Sequence, residues 1–249
     1  MSGHSKWSKV KHQKAVVDSK KGKLFTKLIR EITVSAKLGG ADQDSNPRLR
    51  QAIQAARAAN MTNDTVLRAV NKGAGGADGV DYEAVVYEGY GPASSAVIVE
   101  ALTDNRNRTA SSIRTAFSKF NGNLGGSNSV SYLFVHVGKI LIPNAGMDED
   151  KLTELILEAG ADDLVNSPAG FIVTTTMEGF EPAKTFLESK GIKIEESELI
   201  WQPKTPLAIR DKDKAQTVMN FLEVLEDDDD VQKVFTNLDE AVLAELTSA

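Results

Sequence analysis

The sequence predicts an α+β multidomain protein, with an N-terminal three-helix domain, an α+β domain, and a ferredoxin-like (βαββαβ) domain inserted into the second. Three observations predict it. Helical periodicity dominates residues 20–72. A glycine-rich stretch at 74–79 (AGGADG) then separates that region from one in which short strands alternate with helices. Within the latter, residues 139–202 run in the order β-α-β-β-α-β, the split βαβ pattern.

Residues 1–20 carry few large apolar side chains and many lysines: Lys6, Lys9, Lys11, Lys14 and Lys20 surround Trp7. This predicts a basic arm that docks by its tryptophan. From Lys20 onward, Phe25, Leu28, Ile29, Ile32 and Ala36 recur at helical spacing and form one apolar stripe. Lys20, Lys23, Lys27, Arg30 and Lys37 form a second stripe on another face. Gly39 and Gly40 stop the helix. Asn46-Pro47 supplies an N-cap followed by proline at the first helical position. The helix it opens points Leu49, Ile53 and Ala56 inward and Arg50 and Arg57 outward. Thr62 caps a third helix that carries Val66, Leu67 and Val70 inward and closes at Gly73.

Beyond the linker, strands are expected at 83–87 and 95–102, then a helix with Ile113, Ala116, Phe117 and Phe120 on one face. A loop at 122–129 (GNLGGSNS) and a strand at 130–135 follow. The inserted unit is expected to have strands at 139–142, 163–166, 171–175 and 193–201, with helices at 149–159 and 182–189. A helix at 212–226, with Val218, Phe221, Leu222 and Leu225 inward, leads through Asp227–Asp230 to a last strand at 231–236. The flanking ββαβ and αβ pieces are each too small to close a core alone, so they complete one another. The predicted domains are therefore 1–76, then 77–136 joined to 205–249, and the insert 137–204.

Charge is divided along the chain. Residues 1–72 hold 15 Lys and Arg against 5 Asp and Glu, whereas the remainder holds 14 against 30. A basic module joined to an acidic body suits a protein that grips phosphates with one end and repels them with the other. The chain has no cysteine, which removes disulfides, thiolate nucleophiles and cysteine zinc sites, and suits a reducing cytoplasm. No apolar window approaches the ~18 residues of a membrane span, and the expected location is cytoplasmic.

Catalytic chemistry has no residues to stand on. His4, His12 and His136 have no acid or second histidine at triad or metal-ligand spacing. Asp227–Asp230 lacks the glycine turn and spaced ligands of a calcium loop and is expected to act as a stop signal. At 87–92 (YEGYGP), Gly89 and Gly91 suit a tight turn, and no Gly-Lys-Ser/Thr follows to make a phosphate loop. At 103–109 (TDNRNRT), Arg106 and Arg108 sit where a helix N-terminus favours an anion, and Asp104 and Asn105 equally suit a structural turn. No enzyme activity, metal or cofactor is expected. Nucleic acid is the expected partner, contacted by Lys6, Lys9, Lys11, Lys14, Lys20, Lys23, Lys27, Arg30, Arg50, Arg57, Arg106 and Arg108, with Asn60 or Asn63 as base-edge readers.

The motifs GHSKW (3–7), KGKLFT (21–26) leading into Ile29-Arg30-Glu31, NPRLR (46–50), Asn60-Met61-Thr62, YEGYGP, TDNRNRT, Asn123-Leu124-Gly125 and Tyr132-Leu133-Phe134 run in order along essentially the whole chain. Together they resemble the YebC/PmpR family. The resemblance implies a three-domain architecture with the ferredoxin-like domain inserted. It also implies a DNA-binding transcriptional regulator. The alternative it carries is a ribosome- or RNA-associated translation factor, one that activates translation or relieves stalling at proline-rich sequences.

Overall fold

The computed structural model describes residues 17–75, 82–144, 148–167, 169–239 and 242. In chain order its elements are α1 (Val17–Gly39), α2 (Pro47–Ala58), α3 (Asn63–Ala74), β1 (Glu83–Tyr90), β2 (Ala96–Thr103), α4 (Arg106–Lys119), β3 (Asn123–Leu124), β4 (Phe134–Ile142), α5 (Glu149–Glu158), β5 (Asp163–Ser167), β6 (Gly170–Thr176), α6 (Phe180–Ser189), β7 (Glu196–Pro203), α7 (Lys212–Glu226) and β8 (Val231–Thr236). The described residues form two compact units. One holds Ser131–Ala208 and residues 237–239, and the other holds residues 17–130 with Ile209–Thr236. No helix among the described residues is long and apolar enough to cross a membrane.

In the second of these units, α1–α3 close a small core of Ile32, Ala36, Leu49, Ala52, Ile53, Ala56, Met61, Val66, Ala69 and Val70, with Phe25, Leu28 and Ile29 packed against it. Its four alanines, Ala36, Ala52, Ala56 and Ala69, let the helices approach closely. The α1–α2 corner is held by Asn46, which is 5% exposed. Its Oδ1 accepts from the Leu49 N–H at 3.1 Å, and its Nδ2 donates to the Ser35 and Gly40 carbonyls, each at 2.8 Å. Pro47 at the first helical position costs nothing, because that N–H has no partner within the helix. Gly73 does not close α3, which runs to Ala74. It is buried where α3 crosses α1, and a Cβ there would meet the Thr33 carbonyl. Leu67, expected inward, is 59% exposed, one step round the helix from the Val66–Val70 stripe.

The same unit contains an antiparallel sheet in the order β3-β1-β2-β8. Its centre is β2, paired with β1 through Glu83↔Thr103 to Tyr90↔Ala96 and with β8 through Val97↔Thr236 to Ala101↔Val231. Val97, Ile98 and Val99 are fully buried. Phe117 of α4 meets Phe221 of α7 edge-on at 4.9 Å between ring centres, joining the two flanks of the chain that the sequence divides. Gly89 and Gly91 are not needed for turn dihedrals. A Cβ on Gly89 would meet Phe117 and the Asn123 carbonyl, and one on Gly91 would meet Phe221, so both serve close approach. The reversal lies beyond them, at Ala93 and Ser94, whose φ angles are 54° and 60°.

The other unit has an antiparallel sheet in the order β5-β6-β4-β7, the expected arrangement for a split βαβ fold. Its core comprises Ile140, Ile142, Leu152, Ile156, Phe171, Val173, Phe180 and Leu187. The strand expected at 130–135 does not form. Residues 131–133 are a single 3₁₀ turn, and β4 runs unbroken from Phe134 to Ile142, paired with β7 from Phe134↔Pro203 to Leu141↔Glu196. Gly138 interrupts the apolar run in sequence without interrupting the strand, because Phe180 and Thr175 pack over it. The first strand of this unit thus begins before residue 137.

Candidate nucleic-acid interface

The helical period of α1 places Lys23, Lys27 and Arg30 on one face, as the spacing requires. That face meets the C-terminal end of α7. Lys23 Nζ donates to the Asp227 carbonyl at 3.1 Å and lies 3.7 Å from its Oδ1. Lys27 Nζ donates to the Glu226 carbonyl at 2.6 Å. Arg30 donates to the Asp229 carbonyl and pairs with Asp230 Oδ1 at 2.8 Å, and its guanidinium lies 5.3 Å from the centre of the Tyr82 ring.

Elementary electrostatics explains the contact. A helix C-terminus presents unpaired carbonyls and the negative end of the dipole, and four aspartates there make it worse. Three cations from α1 satisfy those carbonyls and offset the charge. Burial lowers the Lys27 pKa below the ordinary lysine value, against the opposing pull of Glu226, Asp227, Asp228 and Asp229. The Lys23–Asp227 pair is about half exposed and contributes little by itself.

Asp230 is the centre of the contact and is 5% exposed. Its Oδ2 accepts from Thr109 Oγ1 at 2.6 Å, Thr103 Oγ1 at 3.1 Å and Arg108 Nη2 at 3.3 Å, while Oδ1 faces Arg30. Burial works to raise its pKa, but the Thr109 hydrogen bond, the Arg30 charge and the bonds from Thr103 and Arg108 outweigh it and hold the carboxyl below the usual range. The expectation of a bare stop signal missed this role. Its sequence trace was the aspartate run itself, but the cations that pair with it lie about 200 positions away, at separations of 204 and 199.

The other expected contacts are distributed differently. In the 103–109 loop, Asn105 caps α4 by accepting from the Arg108 N–H at 3.1 Å. Arg108 also pairs with Asp104 at 2.5 Å, and Arg106 lies 3.6 Å from Glu83. Arg50 reaches the Asp44 carbonyl at 3.5 Å, and Arg57 is exposed on the outer side of α2. Asn60 has φ 61° and ends α2 with its N–H on the Arg57 carbonyl, a backbone role that asparagine tolerates well. Asn63 is exposed at the first turn of α3. Lys20 lies within α1, and Lys6, Lys9, Lys11 and Lys14 lie outside the described residues, as do His4 and His12. His136 stacks on Trp201 at 4.6 Å within the β4–β7 pair.

Two family models match this chain. One, described as the TACO1/YebC protein N-terminal domain, covers residues 5–76, and the other, the TACO1/YebC second and third domain, covers residues 82–238. The chain belongs to the TACO1/YebC family. Among its relatives, a probable transcriptional regulatory protein of Aeromonas hydrophila is 53% identical over 238 residues, covering 95% of this chain and 96% of that protein. One of the same description from Geobacter sp. (strain M21) is 49% identical over 239 residues, 96% of each. The crystal structure of a conserved hypothetical protein from Aquifex aeolicus matches with a TM-score of 0.80 and 45% identity, over 94% of this chain and 96% of that one. The first TACO1/YebC model ends at residue 76 and the second begins at residue 82.

Proposed function

We propose that this chain is a nucleic-acid-binding regulatory protein, acting as a DNA-binding transcriptional regulator in the cytoplasm and performing no covalent chemistry of its own. The observation that carries the reading is the concentration of 15 cations in the first 72 residues of an otherwise acidic chain. The names of the relatives, probable transcriptional regulatory proteins, supply the biological context. Lys6, Lys9, Lys11, Lys14 and Lys20 provide the phosphate contacts, with Arg50 and Arg57 extending the surface over α2. Such contacts set affinity and register, not sequence preference.

The test is fluorescence anisotropy of the full chain with a labelled 20-base-pair duplex across a salt series. If about four to six phosphates are neutralised, log affinity falls against log salt with a slope near −0.9 per contact. Replacing Lys6, Lys9, Lys11 and Lys14 by alanine flattens the slope and weakens binding to all sequences alike. A flat salt response in the wild type refutes the reading. Sedimentation with ribosomes that RNase abolishes, in the absence of duplex binding, replaces DNA by RNA as the partner.

A further inference from the structure

The α1 stripe already has an anionic ligand, and it belongs to the same chain. Lys23, Lys27 and Arg30 meet Asp227, Glu226 and the Asp229–Asp230 pair in turn. Carboxylates and carbonyl oxygens there stand where phosphate oxygens stand in a nucleic-acid complex. The contact is also of a kind that a polyanion can displace. Among the described residues, the bundle core cluster holds side chains from α1–α3 and their connections and none from the sheet or from α7. The contacts that Lys23, Lys27 and Arg30 make with residues 226–230 are ionic and hydrogen-bonded, and Lys23 and Asp227 are both half exposed to competing ions.

We propose that the acidic turn Asp227–Asp230 is an internal phosphate mimic that competes with nucleic acid for Lys23, Lys27 and Arg30. With the turn docked, only the remaining cations face a polyanion. When nucleic acid takes its place, the α1 stripe joins the interface and α7 loses its cationic cap. Asp227 and Asp229 are exposed and set the strength of the competition, while buried Asp230 anchors the turn. The inference rests on the nucleic-acid-binding reading above and adds to it a graded, salt-sensitive autoinhibition.

The experiment compares four full-length proteins on the same labelled duplex at low and moderate salt: wild type, D227N/D229N, K23A/K27A and the charge-matched control D162N/D163N, whose aspartates lie in the other unit. The control matters because removing any two negative charges raises polyanion affinity slightly. Competition predicts that D227N/D229N binds about threefold to tenfold more tightly than the control, with a steeper salt slope as added phosphate contacts form. It also predicts that K23A/K27A loses affinity and that combining all four changes abolishes the gain. Equal affinities of D227N/D229N and D162N/D163N overturn the inference while leaving nucleic-acid binding intact. Absence of binding by every protein, wild type included, sinks the functional reading itself. The single variants D227N and D229N, each with its melting curve measured, keep the comparison decisive should the double variant unfold.

Discussion

Asp230→Ala is the sharpest perturbation of the junction between α1, α4 and β8. The side chain is 7% exposed and the Arg30 side chain opposite is 13% exposed. Its loss strips Arg30 of a charge-assisted bond worth about 1.5–3 kcal/mol. Thr103 Oγ1 lies 2.8 Å from Thr109 Oγ1, which can accept its hydrogen in place of Asp230, so its loss is small. Thr109 can fall back on the Asn105 carbonyl at 3.2 Å, so its contribution is small. Arg108 is 55% exposed and keeps Asp104, so it adds little. The total is about 3 kcal/mol, at the lower end of the range for breaking a buried pair. At about 2–4 °C per kcal/mol for a unit of this size, the melting temperature falls by about 6–12 °C.

The pH dependence carries a definite sign. Asp230 has a folded pKa below its unfolded value, so its contribution is fully present above the unfolded carboxylate value of about 3.9. It is lost as the pH falls through the folded value. Circular-dichroism melts of wild type and variant at pH 7, 5, 4 and 3 therefore show a gap that is constant from 7 to 5 and narrows below about 4. Asp230→Asn, which keeps one acceptor oxygen but not the charge, falls between the two. A drop of less than about 2 °C at pH 7, or a gap as wide at pH 3 as at pH 7, refutes the assignment of Asp230 as the charged hub.

Three further outcomes follow from the packing. Glu88→Ala removes the carboxylate that accepts the Asn128 and Val130 N–H groups, each at 3.0 Å, and lowers stability by about 2–3 kcal/mol in urea titration; Glu88→Gln, retaining one acceptor, loses about half as much. Gly73→Ala gains about 1 kcal/mol of helix propensity, but its methyl meets the Thr33 backbone, so the measured change is a net destabilisation of about 1–2 kcal/mol, and a stabilised variant removes the close-crossing account. Residues 131–208 expressed alone unfold cooperatively, whereas 82–130 without α7 and β8 do not; a cooperative melt of the isolated 82–130 piece defeats the idea that the flanks complete one another.

Local chemistry was legible in the sequence, and distant pairing was not. The Asn46-Pro47 cap, the Thr62 cap and the apolar stripe of α1 follow from neighbours within four residues, and all three form as the spacing requires. The six elements of the split βαβ unit were also legible, because turn residues punctuate them. The start of β4 was not, because a buried glycine in a strand looks like a break until the ring that covers it, Phe180, is in place. Gly89, Gly91 and Gly73 misled in the same way: each reads as a turn or stop in sequence but serves a close approach between elements far apart in the chain. At the candidate site, the shared face of Lys23, Lys27 and Arg30 was legible from their spacing, and the carbonyls and carboxylates that they meet about 200 positions away were not.

That last gap changes how the charge division is understood. Counted along the chain, a basic end and an acidic body look like separate poles, one for phosphate and one for solvent. In the fold, the most regular part of the basic end is set against the densest part of the acidic body. On the competition proposed above, a polyanion approaching α1 displaces carboxylates before it gains contacts there, whereas cations such as Arg57 on the outer side of α2 need no such exchange. Affinity and net charge are thereby uncoupled: removing positive charge from α2 weakens binding in proportion to the phosphates lost, while removing it from α1 also releases the acidic turn into solvent and costs stability. Melting temperature and affinity measured together on Arg57→Ala and Arg30→Ala separate the two. Arg57→Ala lowers affinity at constant melting temperature, and Arg30→Ala lowers the melting temperature by several degrees whatever it does to binding.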